Sequence, residues 1–316
     1  MLRISRIDHV AAVTPDLSGQ AELLGGIFGF RPTHSWDNPA ANVRGLRFDV
    51  PGTYGQRWVL LEPTSSTSSL GVWLDAREGR PGLHHIGAEV PDLAAAVHEL
   101  ERHGLEISDA VPGRWVEASL SPPKYGAGVL WRLRGPGTLS MLGDDDAVAV
   151  PERTSDGPAL GVLGIDHVCQ AFPDRDVLAD WFGRLAGFVE IWRTPDDAHP
   201  DMADLVLAIP GSRMSWEVIA GRGTESFVDR FVERSGPAAH HVTFQVADWD
   251  AAARACTAHR LPTFGHEDGT TDGAMWCHAF IHPKQTGGIL VQLYWEEIPG
   301  VWARSDKTAP RDTAWI

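Results

Sequence analysis

Four histidines recur along the chain in one local setting. Ile7-Asp8-His9-Val10 returns as Ile165-Asp166-His167-Val168, with looser copies at Leu83-His84-His85-Ile86 and Ala239-His240-His241-Val242. In each copy an aspartate stands seven residues beyond the histidine: Asp16, Asp92, Asp174 and Asp248. Successive histidines lie 76, 82 and 74 residues apart, a phase too regular for chance. An imidazole can ligate a divalent metal, carry a proton near neutral pH, or sit satisfied in a core. The aspartate has a plainer role. Three of the four follow proline (Pro15, Pro91, Pro173), and a carboxylate there can accept the first free N–H groups of a helix.

The elements that position these pairs read alike in every copy. A strand-like apolar stretch ends at the aspartate, and a helix-like run follows: LSGQAELLGGIFGF, LAAAVHELERHGL, RDVLADWFGRLAGF and WDAAARACTAHRL. Gly29, Gly104 and Gly187 close three of the runs, as a left-handed helix terminus requires. Shorter β-rich segments come next, such as VRGLRFDV with RWVLLEP and ADLVLAIP with RMSWEVIA. The unit is βαβββ, repeated four times. A Pro-, Gly- and acid-rich stretch, Gly143 to Ala159, separates the first two copies from the last two.

Composition narrows the class. A chain of 316 residues, 43% hydrophobic and 22% charged, suits two ordinary globular domains. Its 27 basic and 42 acidic residues leave a net charge of −15, which argues against nucleic acid or an anionic membrane as the partner. The N-terminus shows no basic segment followed by an apolar one, and no run of some 18 apolar residues occurs. Three sparse cysteines, Cys169, Cys256 and Cys277, point to a reducing compartment, so a cytoplasmic location is expected. Phosphate loops, nucleophile elbows and C-x-x-C motifs are absent from the sequence.

With these units in place, the chain resembles the vicinal oxygen chelate superfamily, which includes glyoxalase I, methylmalonyl-CoA epimerase, type I extradiol dioxygenases and the bleomycin and fosfomycin resistance proteins. The stretch from His282 to Leu293, HPKQTGGILVQL, is similar to the closing hairpin of the epimerases, as Gly82 to Ile86 is to their second unit. The two-domain length is similar to that of the extradiol dioxygenases. The resemblance implies an α+β fold of four βαβββ modules paired into two glyoxalase-like domains with cup-shaped mixed sheets. Its expected boundaries are 1–143 for a first domain, 144–159 for a linker, 160–298 for a second domain and 299–316 for a tail. Pairing of units one with two and three with four is assumed. Some members pair the first with the fourth.

The resemblance also implies a ligand set. The family places one metal ligand on the first strand and one on the last strand of each paired unit. In the second domain those positions are His167, Glu217, His241 and Gln292, a set suited to Fe, Mn, Co, Ni or Zn. The epimerase pattern has glutamine where Glu217 stands and glutamate where Gln292 stands, so the exchange either preserves the site's charge or marks a lost metal. In the first domain the positions read His9, Val59, His85 and Met141, which implies a degenerate site. That domain would cover the cup or support a dimer, making a homo-oligomer an expected state. His84 and His240 precede the ligand candidates and are expected on the opposite sheet face.

The chemistry implied is an enzyme that binds a small substrate through two adjacent oxygens and abstracts a proton next to a carbonyl, as an epimerase, isomerase or lyase does. Glu217, His282 and Asp204 are the candidate bases. Two alternatives stand beside it: ring-cleaving dioxygenation of a catechol, and metal-free sequestration of a drug-like ligand. Thirteen tryptophans, six of them (Trp181, Trp192, Trp216, Trp249, Trp276, Trp295) in the second pair of units, would suit an aromatic ligand where they line the cup. Lys284 would suit the phosphate of an acyl-CoA or a solvent-exposed turn.

Overall fold

The computed structural model describes residues 1–52, 55–126, 128–136, 147–150, 157–195, 199–223, 226–271 and 273–298. Met141 and the segment 299–316 lie outside the described residues. The first unit is β1 (Arg6–Val13), α1 (Leu17–Gly26), β2 (Arg31–Asn38), β3 (Val43–Asp49) and β4 (Arg57–Pro63). A short helix α2 (Ser69–Asp75) leads to the second: β5 (Gly82–Glu89), α3 (Leu93–Arg102), β6 (Ile107–Val111), β7 (Trp115–Ser119) and β8 (Leu130–Arg134). A two-residue strand, β9 (Val148–Ala149), follows. The third unit is β10 (Val162–Ala171), α4 (Arg175–Ala186), β11 (Val189–Arg193), β12 (Met202–Ala208) and β13 (Ser215–Gly221). After α5 (Phe227–Ser235) the fourth comprises β14 (Ala238–Val246), α6 (Trp249–Ala258), β15 (Thr263–Thr271), β16 (Ala274–Ile281) and β17 (Leu290–Glu296).

The aspartates cap their helices. Asp16 accepts from Gly19 N, Asp92 from Ala95 N, Asp174 from Asp176 and Val177 N, and Asp248 from Ala251 N. Gly29, Gly104 and Gly187 all carry positive φ. The helices α2 and α5 were not part of the sequence expectation. Each starts at a serine cap, Ser68 or Ser226, between the paired units. Each fills one end of a cup: Leu70 and Leu74 pack with Ala11, Val13 and Val59, and Val228 packs with Cys169, Ala171 and Ile219.

Two mixed sheets result, ordered β6-β7-β8-β5-β1-β4-β3-β2-β9 and β11-β12-β13-β10-β14-β17-β16-β15. Antiparallel contact of β1 with β5 and of β10 with β14 joins unit one to two and unit three to four. The strand β9 falls inside the stretch read as a linker and pairs with β2, extending the first sheet.

One core serves both sheets. Val10, Trp58, Ile86 and Trp131 of the first sheet belong to the same buried cluster as Val168, Trp216, Val242 and Phe244 of the second, with Leu24, Leu100, Phe182 and Ala255 supplied by the helices. Trp131 meets Trp216 at 5.2 Å between ring centroids, and Phe28 meets Phe244 at 5.5 Å. Gln56 bonds both the N–H and the C=O of Ile165, at 2.6 and 2.7 Å, just upstream of Asp166 and His167. Gly211 sits at φ +70°, where a Cβ would lie 2.2 Å from Ser5 O, so the close approach of the two halves requires glycine there.

Candidate metal centre

The second sheet brings the predicted donors to one place. Three sit on neighbouring strands: His167 on β10, Glu217 on β13 and His241 on β14. Each offers a ligand atom within 4.8 Å of the other two. His241 Nε2 lies 3.1 Å and His167 Nε2 3.4 Å from Glu217 Oε2. Gln292, on β17 in register with Thr243, completes the group: Thr243 Oγ1 donates to Gln292 Oε1 at 2.6 Å and lies 2.8 Å from His167 Nε2. All three ring and amide bearers are buried: His167 is 3%, His241 4% and Gln292 8% exposed.

The charges explain one another. Because the Thr243 hydroxyl donates to Gln292, it accepts from His167 Nε2, while His167 Nδ1 faces Asp166 Oδ1 at 2.6 Å. His167 therefore carries protons on both nitrogens. Burial alone would lower its pKa, but Glu217 and Asp166 overrule it and push His167 up to about 10. Glu217 moves the other way: burial opposes its charge, and His167 and His241 nonetheless hold it well below the usual carboxylate range. Burial keeps His241 neutral by lowering its pKa.

Two atoms of this group, Glu217 Oε2 and His241 Nε2, are buried without a hydrogen-bond partner of acceptable geometry. Orphaned buried polar atoms are rare, and an adjacent pair of a carboxylate oxygen and an imidazole nitrogen is what a cation would satisfy. Two imidazoles, one carboxylate and one amide fit a divalent ion of the Zn, Fe, Mn, Co or Ni kind. The residues present fit the group that the sequence implied.

Asp204 belongs beside this cluster. It pairs with Ile219 on β13, one step diagonal from Val206 opposite Glu217, so the two carboxylates share a sheet face. It is 8% exposed, and its Oδ1 has no hydrogen-bond partner. Burial first, and then the negative charge of Glu217, raise its pKa to about 7. Buried Arg175 holds the backbone carbonyls of Thr194 and Asp204, at 3.2 and 2.7 Å, and so fixes this stretch of β12.

The structure does not bring His282 to the cluster. It is exposed, and its Nδ1 accepts from Lys284 N at 3.1 Å, capping the 3-10 turn Pro283–Gln285. Lys284 is exposed on the same turn. The expectation for His84 and His240 needs correction too. Register shifts between β1 and β5 and between β10 and β14 place a bulge at each residue. Alternation breaks there, and His240 Nδ1 comes to 3.0 Å from His241 Nδ1, as His84 Nδ1 comes to 2.9 Å from His85 Nδ1.

Sequence reasoning missed Thr243, Asp166 and Cys169. Asp166 was visible as the repeat partner of Asp8. Thr243 gave no signal, because its counterpart in the first domain is Gly87. Cys169 lies opposite both Glu217 and His241, and burial together with Glu217 raises its thiol well above the usual value. Among the six tryptophans, Trp192 and Trp276 share the cluster's sheet face by register, whereas Trp216 is core and Trp181 donates to Leu120 O across the domains. Trp276 stacks on His278, and Phe280 stands 5.3 Å from His241, so one wall of the cup is aromatic.

The first cup differs at the same register. Val59 stands opposite Ala11, as Glu217 stands opposite Cys169. Arg132 stands opposite Gly87, as Gln292 stands opposite Thr243, so the fourth position is Arg132 and not Met141. Arg132 bonds Glu117 at 2.8 and 3.2 Å and lies 4.1 Å over the Trp115 ring. His9 and His85 bond each other through Nε2 at 3.1 Å. The side chains His84, His85 and Glu117 offer atoms within 4.8 Å of one another, but the guanidinium already answers Glu117.

Comparison with known proteins agrees with this architecture. The chain belongs to the glyoxalase/bleomycin resistance protein/dioxygenase superfamily, whose family model matches twice, over residues 8–116 and 166–277. It is 30% identical over 104 residues to an ethylmalonyl-CoA/methylmalonyl-CoA epimerase of Cereibacter sphaeroides, a match spanning 33% of this chain and 75% of that protein. A mutant 4-hydroxymandelate synthase from Streptomyces coelicolor has a similar fold, with TM-score 0.69 and 14% identity over 93% of both chains. The Mn(II)-bound glyoxalase of Novosphingobium aromaticivorans has TM-score 0.57 and 13% identity over 93% of this chain and 83% of its own. Relatives of the family include epimerases and dioxygenases, and one structural neighbour binds a divalent metal.

Proposed function

We propose that the second cup is a metal-dependent active site that removes a proton next to a carbonyl, with Asp204 as the base. The observation that carries this reading is Asp204 itself. A buried carboxylate with an unpartnered oxygen, on the sheet face it shares with Glu217, is placed to take a proton from a substrate held there. His167, Glu217, His241 and Gln292 would hold the ion, which when bound supplies a Lewis acid that polarises two adjacent substrate oxygens. His167 must first give up its Nε2 proton, and Asp166 keeps the ring oriented through Nδ1. Asp204 then receives the substrate proton from the same sheet face. The wall of Trp276, His278 and Phe280 excludes water on one side and accepts a flat substrate group. Similarity to an epimerase supports proton transfer over the alternatives.

The test is hydrogen exchange. The purified protein, loaded in turn with Mn(II), Co(II), Zn(II) and Fe(II), is mixed in D2O with 2-oxo acids and acyl-CoA thioesters, and deuterium at the α-carbon is followed by NMR. Metal-dependent exchange that disappears in Asp204→Asn is the expected result. Exchange that persists in that variant would remove Asp204 from the role.

A second reading has one observation in its favour, the aromatic wall, which would also suit a catechol-like ring. Oxygen uptake by the Fe(II) form with catechols, without α-proton exchange, would establish it instead.

A further inference from the structure

The two halves contribute matching stretches to a cavity of about 150 Å³ between them. By register, Leu83, His84 and Leu130 of the first half correspond to Ala239, His240 and Leu290 of the second. Ile86, Val129 and Ile289 add apolar surface. Among the described lining residues Arg77 alone carries a permanent charge. It is exposed at the mouth, just beyond α2, and its guanidinium lies 4.6 Å over the Trp73 ring. Gly82 leaves room for it, since a Cβ there would lie 2.9 Å from Arg77 Nη2. Arg77 Nε donates to Arg80 O at 3.4 Å, and among the described residues no carboxylate pairs with this side chain. Burial and then Arg80 lower its pKa, with no anion opposing them.

Behind His84 runs a file of hydrogen-bonded imidazoles. His84 Nδ1 lies 2.9 Å from His85 Nδ1, His85 Nε2 lies 3.1 Å from His9 Nε2, and His9 Nδ1 lies 3.0 Å from Asp8 Oδ2. Gly87 makes the file possible, because a Cβ there would lie 2.2 Å from His9 Cε1. Burial opposes the charge of Asp8, yet His9, Arg134 and Arg57 hold it well below the usual carboxylate range. His9 Nδ1 therefore carries a proton. Two arrangements of the other protons satisfy every contact. In one, each ring donates toward Asp8 and His84 Nε2 is bare. In the other, which holds one proton more, His9 bears both its protons, each ring donates outward, and His84 Nε2 carries hydrogen. A proton received at His84 Nε2 frees the one on His84 Nδ1 to His85 Nδ1. His85 in turn passes its Nε2 proton to His9 Nε2. Burial first, and then Arg132 and Arg77, lower the pKa of His84 to about 3. Burial and Arg132, which is paired with Glu117, lower that of His85 as well. Neither ring keeps the charge, so it rests on His9 beside Asp8.

We infer that this cavity is a site for a short-chain monocarboxylic acid, held by Arg77, with which His84 exchanges a proton through the file that ends on Asp8. One guanidinium balances one negative charge, and its fork matches the two oxygens of a carboxylate. The apolar walls suit a chain of a few carbons and would leave a second charge unpaired. Trp73, 5.2 Å from the His84 ring, adds an aromatic face on the same side. A carboxylate bound beside His84 favours the arrangement with hydrogen on Nε2, so the proton of the acid is stored two rings away. The site needs no metal and stands apart from the proton-transfer reading of the second cup.

The experiment is titration of the full chain with butyrate, in chelator, so that no metal offers a second carboxylate site. Calorimetry should show saturable binding of butyrate and none of butyramide, which keeps the shape and lacks the charge. Arg77→Gln should weaken butyrate about tenfold, as loss of one charge-assisted hydrogen bond implies. Arg77 is exposed, so this variant removes the contact without disturbing the core. NMR of the imidazole nitrogens then tests the file. Between about pH 5 and 9, His84 and His85 should exchange tautomers together, in the step in which His9 gains its second proton. Butyrate should move that step to higher pH, because the anion favours the protonated arrangement. No saturable binding, equal binding of butyramide, or equal binding by Arg77→Gln overturns the site. Tautomers that stay fixed, or both nitrogens of His84 protonated at once, overturn the proton exchange.

Discussion

Arg132 and Gln292 occupy the same position in their respective sheets. Each stands two residues beyond its histidine's partner in a parallel pair, Arg132 opposite Gly87 and Gln292 opposite Thr243. A guanidinium is charged at every accessible pH, whereas an amide is neutral. One residue type therefore repels a cation where the other can ligate it, and Val59 in place of Glu217 removes the balancing carboxylate as well. The two cups share one strand register and differ in the charge of the residue that stands at these positions.

The donor set predicts a divided response to substitution. Titration of the chain with Co(II), followed by its visible absorption, should show one site that His241→Ala abolishes. His85→Ala should leave it intact, since His85 is engaged with His9 and faces Arg132. Gln292→Glu should keep the metal, because a carboxylate replaces an amide at a ligand position. Equal loss in His241→Ala and His85→Ala would place the ion elsewhere.

Thr243 predicts a finer effect. It is fully buried between His167 and Gln292 and positions both. Thr243→Val keeps the shape and removes the hydroxyl. Metal affinity should fall about 10–100-fold, the usual range when a group that orients ligands is lost. Stability should fall by only about 1–3 kcal/mol, since a buried acceptor on Gln292 loses its donor. Competition with a chromogenic chelator measures the first quantity and thermal unfolding the second. Unchanged affinity would show that the hydroxyl positions nothing.

Much of this was legible because the sequence states it four times. The His–Asp phase located strands and caps, since a capping carboxylate needs no tertiary partner to be recognised. Glu217 and Gln292 were found only through the family resemblance, yet strand register puts them beside the histidines. What escaped depended on contacts distant in the chain. The bulges that swing His84 and His240 toward their neighbours follow from cross-strand pairing, not from alternation within one strand. His282 looked chemical by type, but a local turn uses its nitrogen. Arg132 is hidden in the sequence, where Met141 falls at the expected position, and only pairing with β5 fixes that register.

The shared core predicts how the chain unfolds. Phe244 of the second sheet touches Phe28, Phe30 and Trp58 of the first half, at 5.5, 5.5 and 5.9 Å between centroids. With one hydrophobic cluster spanning both sheets, neither domain should melt alone, and calorimetry should show a single transition. Phe244→Ala should cost about 3–5 kcal/mol and lower that transition as a whole. Two separated transitions, with only the second moved by the substitution, would mean that the halves are energetically independent.

Asp204 predicts how pH and metal are linked. Its pKa stands near 7 because burial disfavours the charge and Glu217 adds like-charge repulsion. As a base it works only when ionised, so turnover should rise with pH and level off above its pKa. A cation beside Glu217 cancels part of the repulsion, which favours the ionised form and lowers that pKa. The carboxyl of the metal-free protein should therefore titrate near 7 by infrared difference spectroscopy, and addition of Zn(II) should move it down. The same band should vanish in Asp204→Asn, which identifies the group. The kinetic limb of the loaded enzyme should lie at the lower value. A titration that Zn(II) leaves in place, or moves upward, would mean that the ion does not bind beside Glu217, and the assignment of the centre would fail with it.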